Sequence, residues 1–80
     1  MDYRKVYDAL IAKAQLRSKL PMYIEVHHIQ PKALGGTDEP ANLVKLTAKE
    51  HFIAHLLLAK LHGDTMWVAV LRMKSNSKKD

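Results

Sequence analysis

The chain has 80 residues, a net charge of +5 and no cysteine. That length holds one domain, and the lack of cysteine excludes disulfides and thiolate zinc sites. An apolar fraction of 48% with only three glycines excludes a disordered segment, while the basic balance suits a polyanionic partner.

Met1-Asp2-Tyr3-Arg4-Lys5 leads into an amphipathic segment, not a signal peptide. Phe52 to Ala59 is too short and too interrupted to span a bilayer. A soluble cytoplasmic protein with no membrane partner is the expectation. Asp2 can cap a helix over Tyr3 to Ser18, with Tyr3, Val6, Tyr7, Leu10, Ile11 and Ala14 as its apolar stripe. Arg4, Lys5, Lys13 and Arg17 fall mainly off that stripe, and Pro21 ends the segment.

Met22 to Ile29 is rich in β-branched and aromatic residues and predicts a strand. His27 and His28 point to opposite faces of a regular strand, so both serve one site only if the strand ends or bulges there. Pro31 stops regular pairing, Gly35-Gly36-Thr37-Asp38 is loop chemistry, and Pro40 closes the loop. Ala41 to Leu46 predicts a second, short strand.

Thr47-x-x-Glu50 is a capping box before an apolar run. It predicts a helix over Ala48 to His62, stopped by a left-handed Gly63. Phe52, Ile53, Leu56, Leu57 and Ala59 supply its core face. Asp64 or Thr65 can cap a last helix from Met66 to about Lys74, packing through Trp67, Val70 and Leu71. One domain over 1–74 is expected, followed by a polar, flexible tail over 75–80.

Four of the five histidines lie between Tyr23 and His55. His51 and His55 are four residues apart, so they share a helix face and their rings can converge on one ion. A metal site built from a strand end and a helix face follows. Glu25, two positions before His27, can accept a proton from a ligand ring or pair with Arg4 or Arg17. His62 lies roughly 10 Å further along the helix axis from His55 and is left out of the site.

The same residues resemble the HNH endonucleases, the ββα-metal nucleases. His27-His28-Ile29-x-Pro31 is similar to the family's first strand and turn, and Gly35-Gly36 to its loop glycines. Asn42-Leu43-Val44-x-Leu46 resembles the second strand, and Glu50-His51-x-x-x-His55 the metal-binding helix. The helix before the histidine pair is also similar to that of some phage-encoded HNH homing endonucleases, with host cytoplasm as the implied compartment. The resemblance implies an α+β fold: an N-terminal helix, a two-stranded antiparallel ribbon, the metal-binding helix and a short C-terminal helix.

It also implies hydrolysis of DNA phosphodiester bonds, in duplex DNA, with one divalent ion, Mg²⁺, Mn²⁺, Ni²⁺ or Zn²⁺. His27 and His51 become metal ligands, and His55 a third ligand or a phosphate contact. His28 becomes the general base, and Asn42 the residue that fixes the loop and orients that base. The positive charge adds Lys32, Lys45 and Lys49 as DNA contacts near the site, with Arg72, Lys74, Lys78 and Lys79 behind them. The alternative is a non-catalytic, zinc-stabilised nucleic-acid-binding module with the same ligands. His28 argues against it, because a structural site needs no spare histidine beside a ligand.

Overall fold

A computed structural model describes residues 1–20 and 22–76 of the chain. Helix α1 spans Tyr3–Gln15. The Asp2 carboxylate accepts the Lys5 amide at 3.1 Å, satisfying one of the first-turn N–H groups that have no partner inside the helix. Tyr7, Ile11 and Ala14 form the buried stripe, flanked by Tyr3 and Leu10. Val6, expected on that stripe, is 40% exposed. The helix is three residues shorter than predicted. Its next inward position, Ser18, offers a hydroxyl and no apolar surface to bury, and the Arg17 guanidinium reaches away to Glu50 at 2.7 Å. Pro21, the expected terminator, lies outside the described residues.

Strands β1 (Glu25–His28) and β2 (Leu43–Leu46) pair antiparallel, with His27 opposite Val44 and His28 opposite Leu43. Both are shorter than predicted, because each needs the other. Glu25 pairs with Leu46, and the next residue, Thr47, already caps the following helix. Residues 22–24 therefore have no strand to pair with, and Met22 and Tyr23 are exposed. At the other end, the Pro40 ring fixes φ and opens a 3-10 turn, Pro40–Asn42, which removes Ala41 and Asn42 from the expected strand. A second 3-10 turn, Lys32–Leu34, follows Pro31. Alternation sends Glu25, His27, Val44 and Leu46 to the inner face and Val26, His28, Leu43 and Lys45 to the outer one.

Helix α2 spans Ala48–His62, as the capping box predicts. The Thr47 hydroxyl accepts the Glu50 amide at 3.1 Å, and the Glu50 carboxylate accepts the Thr47 amide at 2.9 Å. Gly63 ends the helix at φ +88°, though with extended ψ. α2 touches α1, both strands and the last helix, α3 (Asp64–Asn76). It buries Ala54, Leu57, Leu58 and Ala59, and half-buries Phe52, Ile53 and Leu56. A helix apolar on nearly every side is a central one. Leu46 and Leu58, both fully buried, each contribute about 1.5–3 kcal/mol by leaving water.

α3 packs through Met66 and Val70, one turn apart and each at most 5% exposed. Trp67 and Leu71, expected on that face, lie one position further round and are exposed. The helix begins at Asp64, so Asp64 and Thr65, the two expected caps, both lie inside its first turn. Ser75 and Asn76, expected in the tail, are helical; the rest of the tail, with Lys78 and Lys79, lies outside the described residues.

Candidate metal centre and active site

The inner face of β1 meets the N-terminal half of α2, and three imidazoles converge there. His27 projects from β1 and is 1% exposed. His51 and His55 project from successive turns of α2. The ring centroids lie 5.0 Å apart for His27–His51 and His27–His55, and 4.8 Å apart for His51–His55. One ligand-capable atom from each falls within 4.8 Å of the others. His62 is exposed at the end of α2, outside this group.

Each ring is held differently. The His51 Nδ1–H donates to Glu25 Oε1 at 2.7 Å, since a carboxylate can only accept; the ring's lone pair is then on Nε2. Glu25 also accepts the Tyr23 hydroxyl at 2.6 Å. That bond first, and the one from His51 second, hold the Glu25 carboxyl below the usual range. Arg4 pairs with Asp8 and Arg17 with Glu50, so neither arginine takes Glu25. His27 Nε2 lies 2.8 Å from the Tyr7 hydroxyl, which is 2.7 Å from the Ile29 carbonyl. His27 Nδ1 and His55 Nδ1 are buried with no hydrogen-bond partner among the described residues.

Burial is the main reason the His27 pKa is pushed down to about 3, reinforced by His55, His51 and His28. Burial and then His51 push His55 down to about 4. Both rings are therefore neutral at pH 7. Unpaired, buried, neutral ring nitrogens cost free energy unless something accepts their lone pairs. A divalent cation does so, and metal ligands must be deprotonated. The donor set fits an ion held by His27, His51 and His55.

His28 is the last residue of β1 and faces away from this cluster, half-buried. Its Nε2 lies 2.7 Å from Asp38 Oδ1. The carboxylate accepts, so Nε2 carries the proton and Nδ1 is free to take another. Asp38 Oδ2 accepts Lys32 Nζ at 3.0 Å. The His28 bond, then Lys32, hold the Asp38 carboxyl below its ordinary range.

Asn42 does not touch the His28 ring. Its Oδ1 accepts the Gln30 amide at 2.8 Å, and its Nδ2 donates to the carbonyls of Gln30 at 3.0 Å and Thr37 at 2.7 Å. It ties both ends of the loop together and so places Asp38, the residue after Thr37. Asn42 thus fixes the loop, as expected, and its link to the His28 ring runs through the loop that carries Asp38. Gly36 belongs to the same knot: a Cβ there would collide with the Gln30 carbonyl and crowd the Asn42 amide.

The three lysines are not gathered at one point. Lys32 sits beside Asp38, Lys45 lies exposed on the outer face two register positions from His28, and Lys49 is exposed on the first turn of α2. Arg72 from α3 shares an open groove of about 420 Å³ with Pro31, Ala33, Ala69, His51 and His55. A larger groove of about 580 Å³ runs between the end of α1 and the outer sheet face, and none of the histidines lines it. Tyr7 and Asp38 were not distinguished by the sequence as site residues. Tyr7 sits in an ordinary apolar stripe, and Asp38 in an ordinary turn.

The family model for HNH endonucleases matches residues 13–52. The chain is 46% identical over 78 residues to the probable mobile endonuclease E of Enterobacteria phage T4, covering 98% of this chain and 55% of that protein. It is 59% identical over 66 residues to that phage's probable mobile endonuclease D, covering 78% and 26%. It is 44% identical over 81 residues to its probable mobile endonuclease C, covering 98% and 38%. The chain thus spans about half or less of the length of these curated relatives. No solved structure matches.

Proposed function

This chain belongs to the HNH endonuclease family, and from that premise we propose that it hydrolyses DNA phosphodiester bonds, in duplex DNA, with one divalent ion. The observation that carries this reading is the division of labour between neighbours on β1. His27 joins His51 and His55 in the inner cluster, whereas His28 faces outward on Asp38. A purely structural ion would need the first group and not the second.

His27, His51 and His55 would hold the ion. When bound, it supplies positive charge that polarises the scissile phosphate and stabilises the leaving oxygen. A three-imidazole set favours Mn²⁺, Ni²⁺ or Zn²⁺ over Mg²⁺ in binding strength. Glu25 fixes the His51 ring so that Nε2 is offered. His28 Nδ1 takes the proton of the attacking water as general base, and Asp38 orients the ring and stabilises the imidazolium that forms. Asn42 and Gly36 keep the loop in the shape that presents Asp38. Lys32, Lys45, Lys49 and Arg72 meet phosphates, with Arg72 best placed for a group lying in the groove beside His51 and His55.

The domain runs from α1 to the end of α3. No helix of the described residues is long and apolar enough to cross a membrane. The T4 relatives' names support a place among mobile phage endonucleases. Supercoiled plasmid incubated with the purified chain tests the reading. Cleavage should appear with added Mn²⁺, Ni²⁺ or Zn²⁺ and vanish with chelator. Tight binding of zinc and DNA with no cleavage under any ion would favour a zinc-stabilised binding module.

A further inference from the structure

We propose that the Tyr7 hydroxyl fixes the tautomer of His27, so that Nδ1 is the atom this strand offers to the metal. The proposal rests on the metal-site reading above and adds a residue to it. Tyr7 is fully buried in α1, and its oxygen lies 2.7 Å from the Ile29 carbonyl and 2.8 Å from His27 Nε2. Each of these short contacts needs a proton between its heavy atoms. A carbonyl has none to give, so the single phenolic proton must lie between Tyr7 and Ile29. The proton in the other contact must then come from His27, as Nε2–H. An imidazole that ligates a metal is neutral, so its lone pair is then on Nδ1. That atom is buried, has no hydrogen-bond partner among the described residues, and sits on a ring packed against those of His51 and His55.

Tyr7 is thus a positioning residue. The Ile29 carbonyl anchors the hydroxyl, the hydroxyl anchors Nε2–H, and the opposite nitrogen is presented for ligation. Such outer contacts to a ligand are worth about 10–100-fold in metal affinity. Tyr7→Phe keeps the buried ring and removes only this relay.

The test is long-range ¹H–¹⁵N NMR of the full chain, uniformly ¹⁵N-labelled, stripped of metal and then loaded with one equivalent of ¹¹³Cd²⁺. In the stripped wild type, His27 should show a protonated Nε2 and a bare Nδ1. After loading, ¹¹³Cd–¹⁵N coupling should appear at His27 Nδ1 and at His51 Nε2. In Tyr7→Phe the His27 signals should shift toward a mixture of tautomers, and Zn²⁺ affinity should fall about 10–100-fold. Coupling at His51 and His55 together with a protonated His27 Nδ1 would overturn the role of Tyr7 and leave the metal site intact. No coupling at any histidine would overturn the metal site and this proposal with it. The wild-type spectra decide the tautomer even if Tyr7→Phe fails to fold.

Discussion

Asp38 and Tyr7 carry the contacts that local sequence could not show. Asp38 reaches His28 across ten positions and Tyr7 reaches His27 across twenty. Neither spacing is a helical or strand period, so each pair exists only after the ribbon has formed and α1 has docked. The proposed ligands could be singled out because their logic is local: His51 and His55 lie one turn apart, and Glu25 shares a strand face with His27. The same locality left Glu25 ambiguous between a ligand ring and the arginines; packing gives Arg4 to Asp8, Arg17 to Glu50 and Glu25 to His51. The Asp38 contact yields a specific expectation. Asp38→Asn keeps the shape of the side chain but removes the charge that would stabilise a protonated His28. Single-turnover cleavage should drop about 10–100-fold while Zn²⁺ affinity stays within a few-fold of wild type. An unchanged rate would remove Asp38 from the mechanism.

Among the elements, α2 was the most legible. Thr47, Glu50 and Gly63 mark its ends by local chemistry, and the observed helix has the predicted bounds. The ends of α1, β1 and β2 were not legible, since partners elsewhere set them. β1 can begin only where β2 has not yet turned into α2, and α1 ends where its inward face runs out of apolar residues. The face of α3 was misread for a related reason. Val70 was placed correctly on it, but its neighbour one turn back is Met66, which leaves Trp67 and Leu71 outside. The loop between the strands is an element in its own right, knotted by Asn42 around Gly36. Gly36→Ala should force the Gln30 carbonyl aside, costing about 1–3 kcal/mol. Urea unfolding should show a lowered midpoint with an unchanged slope, and cleavage should weaken as Asp38 loses its place. A wild-type midpoint would mean that the loop accommodates a Cβ freely.

Across the whole molecule, a small core is joined to a cluster of neutral histidines that the fold holds against protonation. In the metal-stripped protein His27 and His55 accept protons only near pH 3 and 4, whereas unfolded histidine does so near 6.5. Below about pH 6.5 the unfolded chain binds more protons than the fold. Stability is therefore complete above that pH and is lost as pH falls toward 4 and 3, at about 1.4 kcal/mol per unit for each ring. Thermal melts from pH 8 to 4 should show this decline, and saturating Zn²⁺ at pH 7 should raise the melting temperature. A flat profile for the stripped protein would mean the two rings are not held neutral by the fold. On the proposed mechanism, one face of β1 holds an ion while the other activates water. Single-turnover cleavage of duplex DNA under saturating Mn²⁺, with metal content measured on the same samples, tests it most directly. His28→Ala should retain metal and DNA binding and lose cleavage by about 10²–10⁴-fold, His51→Ala should lose the metal, and His62→Ala should match wild type. A His28→Ala protein that carries its full metal and cuts at the wild-type rate would mean that His28 is not the base.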